Sequence, residues 1–219
     1  MRIKWSLFVL AGVVGIFLTS CAKKEKAKNF PVLTQEQIAK IQQEMKNLPE
    51  EPVSKDEVGV IETNFGKIVI ELYPDVAPHT CASFKKLANH GYFDGVLFHR
   101  VVPGFVIQGG DILTRDADPS NDGTGGPGYT LPAEFSDKHH VRGTVSMARK
   151  PGDIHSAGSQ FFICLADCPN LDYQYTVFGQ VIQGMDVVDK IAQVPVKAQH
   201  PLKKIVMTRV RVIKKSELK

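Results

Sequence analysis

The chain carries two consecutive runs in which apolar and polar positions alternate. Residues 58–63 and 67–72 are rich in valine and isoleucine, and Asn64-Phe65-Gly66 separates them. β-Branched residues with a period of two are typical of strands, and a short break containing glycine is typical of a turn. The pattern therefore predicts an antiparallel hairpin over residues 58–72.

The chain continues to residue 213 as short apolar runs interrupted by glycine and proline. Helical spacing predicts one helix over residues 77–90, ended by Gly91, and a second over residues 186–192. Period-two runs predict strands at 97–102, 105–108, 143–147, 160–165, 176–182 and 205–213. Because the short strands outnumber the helices, the pattern favours an antiparallel barrel over a doubly wound parallel sheet.

The first twenty residues have a separate pattern. Arg2 and Lys4 precede an apolar run of 13 residues, from Trp5 to Phe17. A membrane-spanning helix needs about 20 apolar residues. We therefore expect an export signal at residues 1–20, and the alternative is an uncleaved anchor helix.

Residues 22–57 are rich in Lys, Glu and Gln and contain three prolines. Thr34 and Gln37 have the spacing of a capping box, and apolar residues follow at helical spacing through residues 38–48. This pattern predicts a short amphipathic helix that packs on the following domain, binds a partner or stays solvated. Because an isolated helix of this length is marginal in water, we favour a weakly ordered spacer.

Composition narrows the class of protein. With 43% hydrophobic and 8% aromatic residues, the chain is typical of globular proteins. The formal net charge of +4 is too small for the concentrated basic patch that nucleic-acid binding requires. The histidines are scattered without metal-ligand spacing, so we expect no metal and no cofactor.

Three cysteines follow Cys21, so at least one is a free thiol or forms an intermolecular bridge. Cys164 and Phe162 would point to the same face of a strand, which favours a buried thiol at Cys164. A disulfide between Cys164 and Cys168 remains the alternative in an oxidising compartment.

The candidate chemistry lies in one stretch, where a cation, Arg100, and an amide, Gln108, stand among apolar residues. Two strands turning at Pro103-Gly104 would present both polar groups to one cleft, with Phe105 as its apolar floor. Arginine offers five donors in a rigid fork and does not exchange a proton, so it can polarise a neutral amide. The alternative is a strand whose arginine extends into solvent.

Three longer motifs carry a family resemblance: FHRVVPGFVIQGGD at 98–111, RGTVSMAR at 142–149 and SAGSQFFIC at 156–164. Together they resemble the cyclophilin family of peptidyl-prolyl cis-trans isomerases, and the resemblance covers residues 58–219. It implies a mainly β fold, a closed eight-stranded antiparallel barrel capped by two helices. It also implies rotation of X-Pro bonds in proline-containing polypeptides, without a cofactor.

The resemblance further implies which residues form the site. Arg100 would donate toward the prolyl nitrogen of the twisting amide, and Gln108 would hold the peptide backbone or orient Arg100. The implied catalytic residues are Arg100, Phe105 and Gln108, and the implied substrate-binding residues are Val106, Ala148, Arg149, Gln160, Phe162, Leu171 and Tyr175. Among these, Phe105, Val106, Phe162 and Leu171 would line a pocket for the proline ring, the backbone of Ala148 and Arg149 would pair with the substrate, and Gln160 and Tyr175 would complete the rim.

The chain departs from the family's pattern at three positions. Val106 stands where many relatives carry Met, and Tyr175 where well-known eukaryotic members carry His. Asn170 occupies the place of a Trp in the drug-sensitive members. We therefore expect weak cyclosporin binding with the proline pocket retained.

Leu18-Thr19-Ser20-Cys21 resembles the lipobox of bacterial lipoproteins. That resemblance implies cleavage before Cys21 and lipidation of Cys21, and two or more acyl chains anchor stably. We expect a signal peptide at 1–20, a lipidated tether at 21–57 and an isomerase domain at 58–219. The protein would be held by its N-terminal lipid in the bacterial cell envelope, outside the cytoplasm, on the outer membrane or the periplasmic face if the bacterium is Gram-negative.

Three other readings of the motifs compete with an isomerase. Gly123-Thr124-Gly125-Gly126 lacks the Gly-Lys-Ser/Thr ending of a phosphate loop, and Gly158-Ser159-Gln160 lacks the spacing of a nucleophile elbow. The stronger competitor is a non-catalytic module, a chaperone or surface adhesion protein that binds proline-containing segments without turnover. Isomerase activity would distinguish the two.

Overall fold

One antiparallel sheet of eight strands organises residues 29–218, the range that the computed structural model describes. In chain order the strands are β1 (Glu57–Thr63), β2 (Gly66–Leu72), β3 (Leu97–Val102), β4 (Val106–Asp111), β5 (Thr144–Met147), β6 (Phe161–Cys164), β7 (Val177–Gln183), the separate short pair β8 (Val196–Lys197) and β9 (His200–Pro201), and β10 (Met207–Lys214). The order within the sheet is β10-β1-β2-β7-β5-β6-β4-β3. The predicted hairpin and the mainly β, antiparallel architecture are confirmed.

The expectation of a closed barrel is overstated. Strands β3 and β10 stand at the two ends of the sheet order and share no ladder. They meet through one isolated bridge, Leu97 with Val206, and the backbone N–H of Phe98 donates to the carbonyl of Ile205 at 2.9 Å. The sheet therefore curls strongly around its core, and its two end strands meet through a few backbone hydrogen bonds rather than a continuous ladder.

Side chains alternate between the two faces of the curled sheet because the strand period is two. On β6, Phe161 and Ile163 point into the main core, whereas Phe162 and Cys164 belong to a second apolar cluster on the outer face. On β4, Ile107 faces inward between Val106 and Gln108. The outer face of β3, β4 and β6 is therefore free to carry a site while the inner face carries the core.

Two helices pack against the sheet as predicted: α2 (Pro78–Asn89) and α3 (Met185–Ala192). Helix α2 inserts Phe84 between Phe161 and Phe178, at centroid distances of 5.9 and 5.5 Å. These three aromatic rings fill the space enclosed by the curved sheet.

A further helix, α1 (Gln35–Asn47), precedes the sheet and corrects our expectation of a weakly ordered spacer. Its capping box is present: the Gln37 N–H donates to Thr34 Oγ1, and the Thr34 N–H donates to Gln37 Oε1. Ile38 and Met45 are only 2% and 4% exposed, and both belong to the main core. The helix is stable because its apolar face is covered by the domain, which is the usual source of stability for short helices.

Several predictions fall on residues 1–28, outside the described part of the chain. They include the signal peptide and the lipidation of Cys21. Among the described residues, no helix is both long enough and apolar enough to span a bilayer. The division of the chain at residue 57 stays a prediction.

Candidate functional site

A bulge in β3 turns Arg100 to the outer face of the sheet. Phe98 pairs with Gly109 and Arg100 pairs with Gln108, so His99 is the extra residue between them. In a regular strand, Phe98 and Arg100 would point to the same side, because they are two residues apart. Phe98 is in the core, so the bulge is what lets Arg100 point to the outer face. Bulges often re-aim side chains next to functional sites, and this one presents Arg100 beside Gln108.

Two neutral amide side chains orient Arg100. Its Nη1 donates to Gln108 Oε1 at 3.1 Å, and its Nε donates to Gln199 Oε1 at 2.7 Å. Partial burial lowers the pKa of Arg100, but the arginine side chain remains protonated in proteins. Within residues 29–218, Nη2 makes no hydrogen bond, so one arm of the guanidinium is available to a ligand.

Gln108 continues the polar chain along the outer face. Its Nε2 donates to Gln160 Oε1 at 3.0 Å, and Gln160 Nε2 donates to the carbonyls of Gly123 and Gly125, both at 2.9 Å. The three predicted polar residues therefore form one connected row.

An apolar cavity of about 330 Å³ lies beside this row. Of the residues predicted to line the proline pocket, Val106, Phe162 and Leu171 are buried and Phe105 is partly buried. The cavity is lined by nine of the ten predicted site residues and by one more, Pro151: Arg100, Phe105, Val106, Gln108, Ala148, Arg149, Pro151, Phe162, Leu171 and Tyr175. The structure thus places the charged side chain of Arg100 among the residues that line an apolar cavity.

Aromatic contacts hold the far wall of the cavity. Phe162 and Tyr175 pack edge to face at 5.7 Å, and the Arg149 guanidinium lies 4.7 Å from the centre of the Tyr175 ring. The buried ring of His140 stacks behind Phe162, at 6.0 Å and an interplanar angle of 19°. Rotation of Phe162 is therefore restricted.

His140 is itself fixed by Asp172 and Ser146. Its Nδ1 lies 2.9 Å from Asp172 Oδ1 and its Nε2 lies 3.1 Å from Ser146 Oγ. Burial lowers the pKa of His140, and the hydrogen bond from the His140 backbone N–H is the main cause that lowers the pKa of Asp172 to about 2. Ser146 is fully buried and donates to the carbonyl of Thr176, so the Ser-His-Asp row supports the pocket wall and offers no nucleophile to a substrate.

The predicted backbone pairing needs one refinement. The N–H of Ala148 already donates to the carbonyl of Gln160 at 2.9 Å, so it is not available to a substrate strand. In the described part of the chain, the N–H of Arg149 and the carbonyl of Ala148 make no backbone hydrogen bond. Those two groups, rather than the whole dipeptide, are placed to pair with a peptide.

A second, larger cavity of about 660 Å³ adjoins the first and shares Gln108, Ala148, Arg149 and Pro151 with it. Gln160, the remaining predicted residue, lines this second cavity. One wall of this cavity is formed by the glycine-rich loop, residues 123–128, together with Gln42 of helix α1.

Sequence reasoning missed four contributors: Gln199, His140, Pro151 and Gln42. Gln199 lies between β8 and β9 with a left-handed backbone, φ 71°, in a segment without apolar periodicity. Nothing in the sequence distinguishes His140 from the other scattered histidines, and its position behind Phe162 follows only from the tertiary fold. A Gln-rich helix gave no signal that one of its glutamines would reach a cavity.

The three described cysteines, Cys81, Cys164 and Cys168, are buried free thiols, so the structure has the buried thiol expected for Cys164 and not the alternative disulfide. Cys164 and Cys168 lie in the apolar cluster behind the cavity. Burial raises the pKa of both thiols, which keeps them protonated.

Comparison with known proteins agrees with this geometry. Residues 58–212 match the family described as cyclophilin type peptidyl-prolyl cis-trans isomerase/CLD. The chain is 49% identical over 137 residues to a probable peptidyl-prolyl cis-trans isomerase of Brucella suis, covering 60% of this chain and 69% of that protein. It is 41% identical over 150 residues to a peptidyl-prolyl cis-trans isomerase of Helicobacter pylori, covering 67% of this chain and 86% of that protein.

The fold also matches a solved structure. A cyclophilin type peptidyl-prolyl cis-trans isomerase of Cryptosporidium parvum, crystallised in the presence of the dipeptide Ala-Pro, superposes with a TM-score of 0.65 at 30% identity. The match covers 72% of this chain and 99% of that chain.

Proposed function

The chain belongs to the cyclophilin-type peptidyl-prolyl cis-trans isomerases, and on that premise we propose that Arg100 drives rotation of the X-Pro bond while the enzyme serves exported proteins from a lipid anchor at Cys21. Membership of this family decides between the isomerase and the non-catalytic binding module that the sequence left open. The protein is an isomerase of proline-containing polypeptides rather than a non-catalytic binding module.

The reaction requires no bond to be made or broken. Resonance gives the X-Pro C–N bond partial double-bond character, and the barrier to rotation is about 18–20 kcal/mol. The two isomers differ by only about 0.5–1 kcal/mol, so the enzyme must act on the twisted state between them. When the carbonyl rotates out of conjugation, the prolyl nitrogen regains a lone pair that can accept a hydrogen bond.

Arg100 supplies that hydrogen bond. Gln108 and Gln199 orient its guanidinium, and Arg100 lines the cavity that would hold the proline. A hydrogen bond involving a charged group contributes about 1.5–3 kcal/mol, and each 1.36 kcal/mol corresponds to a factor of ten in rate. Arg100 alone would therefore contribute about 10- to 100-fold.

The remaining acceleration comes from holding and dehydrating the amide. The walls formed by Phe105, Phe162 and Leu171 exclude water around the proline ring, which strengthens the electrostatic effect of Arg100. The free carbonyl of Ala148 and N–H of Arg149 would clamp the flanking peptide. Binding energy from those contacts favours the twisted geometry over the planar one.

One observation carries this assignment: Arg100 lines the apolar cavity, and its side chain uses only Nε and Nη1 in hydrogen bonds within residues 29–218. A protease-coupled assay on an Ala-Pro-Phe peptide tests it. We expect Arg100→Ala to lower kcat/KM by about 10- to 100-fold, while Arg209→Ala, which changes an exposed arginine on β10, leaves it unchanged. Equal rates for wild type and Arg100→Ala would reject the assignment.

The envelope role is supported by the lipobox-like segment at residues 18–21 and the basic, apolar stretch before it. Expression of the full chain in a Gram-negative bacterium should place the protein in the membrane fraction, with acyl chains on the N-terminal peptide by mass spectrometry. Cys21→Ser should remove the acyl chains and release the protein from the membrane. An unmodified Cys21 in the wild-type protein would contradict the proposal.

A further inference from the structure

Helix α1 lies outside residues 58–212, the range that matches the isomerase family, yet it contributes to the second cavity. Gln42 lines that cavity together with the glycine-rich loop of residues 123–128. A segment outside the range that matches the family thus borders the second cavity, which adjoins the candidate proline pocket.

The helix is rigidly attached where Gln42 projects. Ile38 and Met45 are buried in the main core on either side of Gln42. Before the helix, the N–H of Leu33 donates to the carbonyl of Arg115 at 2.8 Å, and Gln35 Nε2 donates to Asp116 Oδ2 at 2.8 Å. The position of the helix relative to the sheet is therefore determined by several independent contacts.

Gln42 contacts the glycine-rich loop directly. Its Nε2 donates to the carbonyl of Gly126 at 2.8 Å. Helix and loop approach so closely at Gly128 that a Cβ there would lie 3.1 Å from the Cβ of Gln42, and Gly128 has a left-handed backbone with φ +86°. The left-handed backbone favours glycine at this position, and a side chain there would crowd Gln42.

On its other side, the same loop is held by the catalytic domain. Gln160 donates to the carbonyls of Gly123 and Gly125, and Asp111 accepts from the N–H groups of the same two glycines at 2.6 and 3.0 Å. Gly126 instead accepts a hydrogen bond from the Gln42 amide, and Gly128 packs closely against Gln42. The wall of the second cavity is thus completed by a residue of α1.

We propose that Gln42 is a specificity-determining positioning residue, and that α1 belongs to the peptide-binding surface of the enzyme. By fixing residues 126–128, Gln42 sets the shape of the second cavity for peptides that extend beyond the proline pocket. The inference rests on the proposed function, because it assumes that peptides bind across both cavities. The hydrogen bonds that orient Arg100 come from Gln108 and Gln199, and Gln42 does not line the proline pocket.

Isomerisation of two substrates by the full chain tests the proposal: a blocked Ala-Pro dipeptide, and a longer peptide with the same centre, both followed by NMR exchange. Gln42→Glu keeps the size of the side chain but removes the donor, and Gln42→Leu removes it without adding charge. We expect both variants to raise KM for the longer peptide by about 2- to 10-fold, with kcat unchanged, and to leave both constants for the dipeptide unchanged. Gln42→Arg restores a donor and should recover much of the loss.

Gln43→Leu is the matched control, because Gln43 is the neighbouring glutamine on the same helix and is exposed to solvent. It should behave as wild type with both peptides. A purely structural role of Gln42 would alter both substrates alike or neither, and either result would overturn the proposal. A wild-type protein that isomerises neither peptide would instead contradict the proposed function, so the two failures are distinguishable.

Discussion

At the scale of single residues, the notable property of Arg100 is that amides, rather than a carboxylate, hold it. Gln108 and Gln199 fix the direction of the guanidinium without neutralising its charge. An ion pair would have fixed the side chain equally well, but it would have weakened attraction for a developing lone pair. The arrangement therefore combines orientation with an undiminished positive charge.

Asn170 gives a residue-scale prediction. It is exposed in the turn of residues 169–171, next to Leu171 of the proline pocket. The family resemblance of the sequence implies a Trp at this position in the drug-sensitive members. We expect Asn170→Trp to raise cyclosporin affinity by about 10- to 30-fold, since an indole supplies a large apolar contact at low entropic cost. Isothermal titration calorimetry on both proteins measures this directly.

The wild-type arm of the same titration decides whether the weak drug binding expected from the sequence is right. Nanomolar binding of cyclosporin by the wild-type chain would contradict it. Asn170→Leu adds apolar area without an indole, and it should gain less affinity than Asn170→Trp.

At the scale of elements, the sequence predicted most strands because their apolar residues alternate clearly. The hairpin β1–β2, strand β3 and helix α2 lie within one residue of the predicted bounds. The bulge at His99 was not predictable, because nothing in the sequence marks which residue is extra. The pair β8–β9 was missed because it is two residues long on each side and carries no period.

For helix α1 the element was predicted correctly and its packing was not. The sequence predicted the helix and its capping box, and both are confirmed. The expectation of weak order was wrong because isolated-helix stability ignores the apolar surface of the domain that covers Ile38 and Met45. Local pattern predicts an element, whereas the partner of its apolar face depends on the whole fold.

The docking of α1 predicts a measurable stability change. Because Ile38 is only 2% exposed, Ile38→Ala should lower the free energy of unfolding by roughly 2–5 kcal/mol in urea denaturation. Lys40→Ala, on the exposed side of the helix, should change it by less than about 0.5 kcal/mol. If residues 29–57 were a weakly ordered spacer, neither substitution would change the free energy of unfolding.

At the scale of the whole molecule, the curled sheet separates stability from function. Its inner face holds the aromatic core around Phe84 and Phe161, and its outer face holds the Arg100 row and the apolar slot. Since successive residues of one strand serve opposite faces, the site is positioned by the best-packed part of the molecule. This suits a reaction that depends on geometry rather than on reactive groups.

Buried histidine makes overall stability depend on pH. Burial lowers the pKa of His99 from 6.5 to about 4, with Asp111 opposing this effect and His200 and Arg100 adding to it. The unfolded chain therefore takes up a proton between about pH 6.5 and pH 4 that the folded protein does not, so stability falls as the pH drops through this range. We expect the free energy of unfolding to be about 1–2 kcal/mol lower at pH 5 than at pH 7.

His99→Gln provides the control for this dependence. The substitution should reduce the slope of the pH profile between pH 6.5 and pH 4 and leave the contribution of His140, whose pKa burial also lowers. An unchanged slope in the variant would assign the effect to other groups.

On the proposed mechanism, Arg100 stabilises the twisted amide rather than the bound peptide. NMR exchange measurements on an Ala-Pro peptide can separate the rate of interconversion on the enzyme from the dissociation constant. For Arg100→Ala, the account predicts an on-enzyme rate about 10- to 100-fold lower with a Kd within about 3-fold of wild type. An unchanged on-enzyme rate, or a loss that lies entirely in Kd, would contradict it.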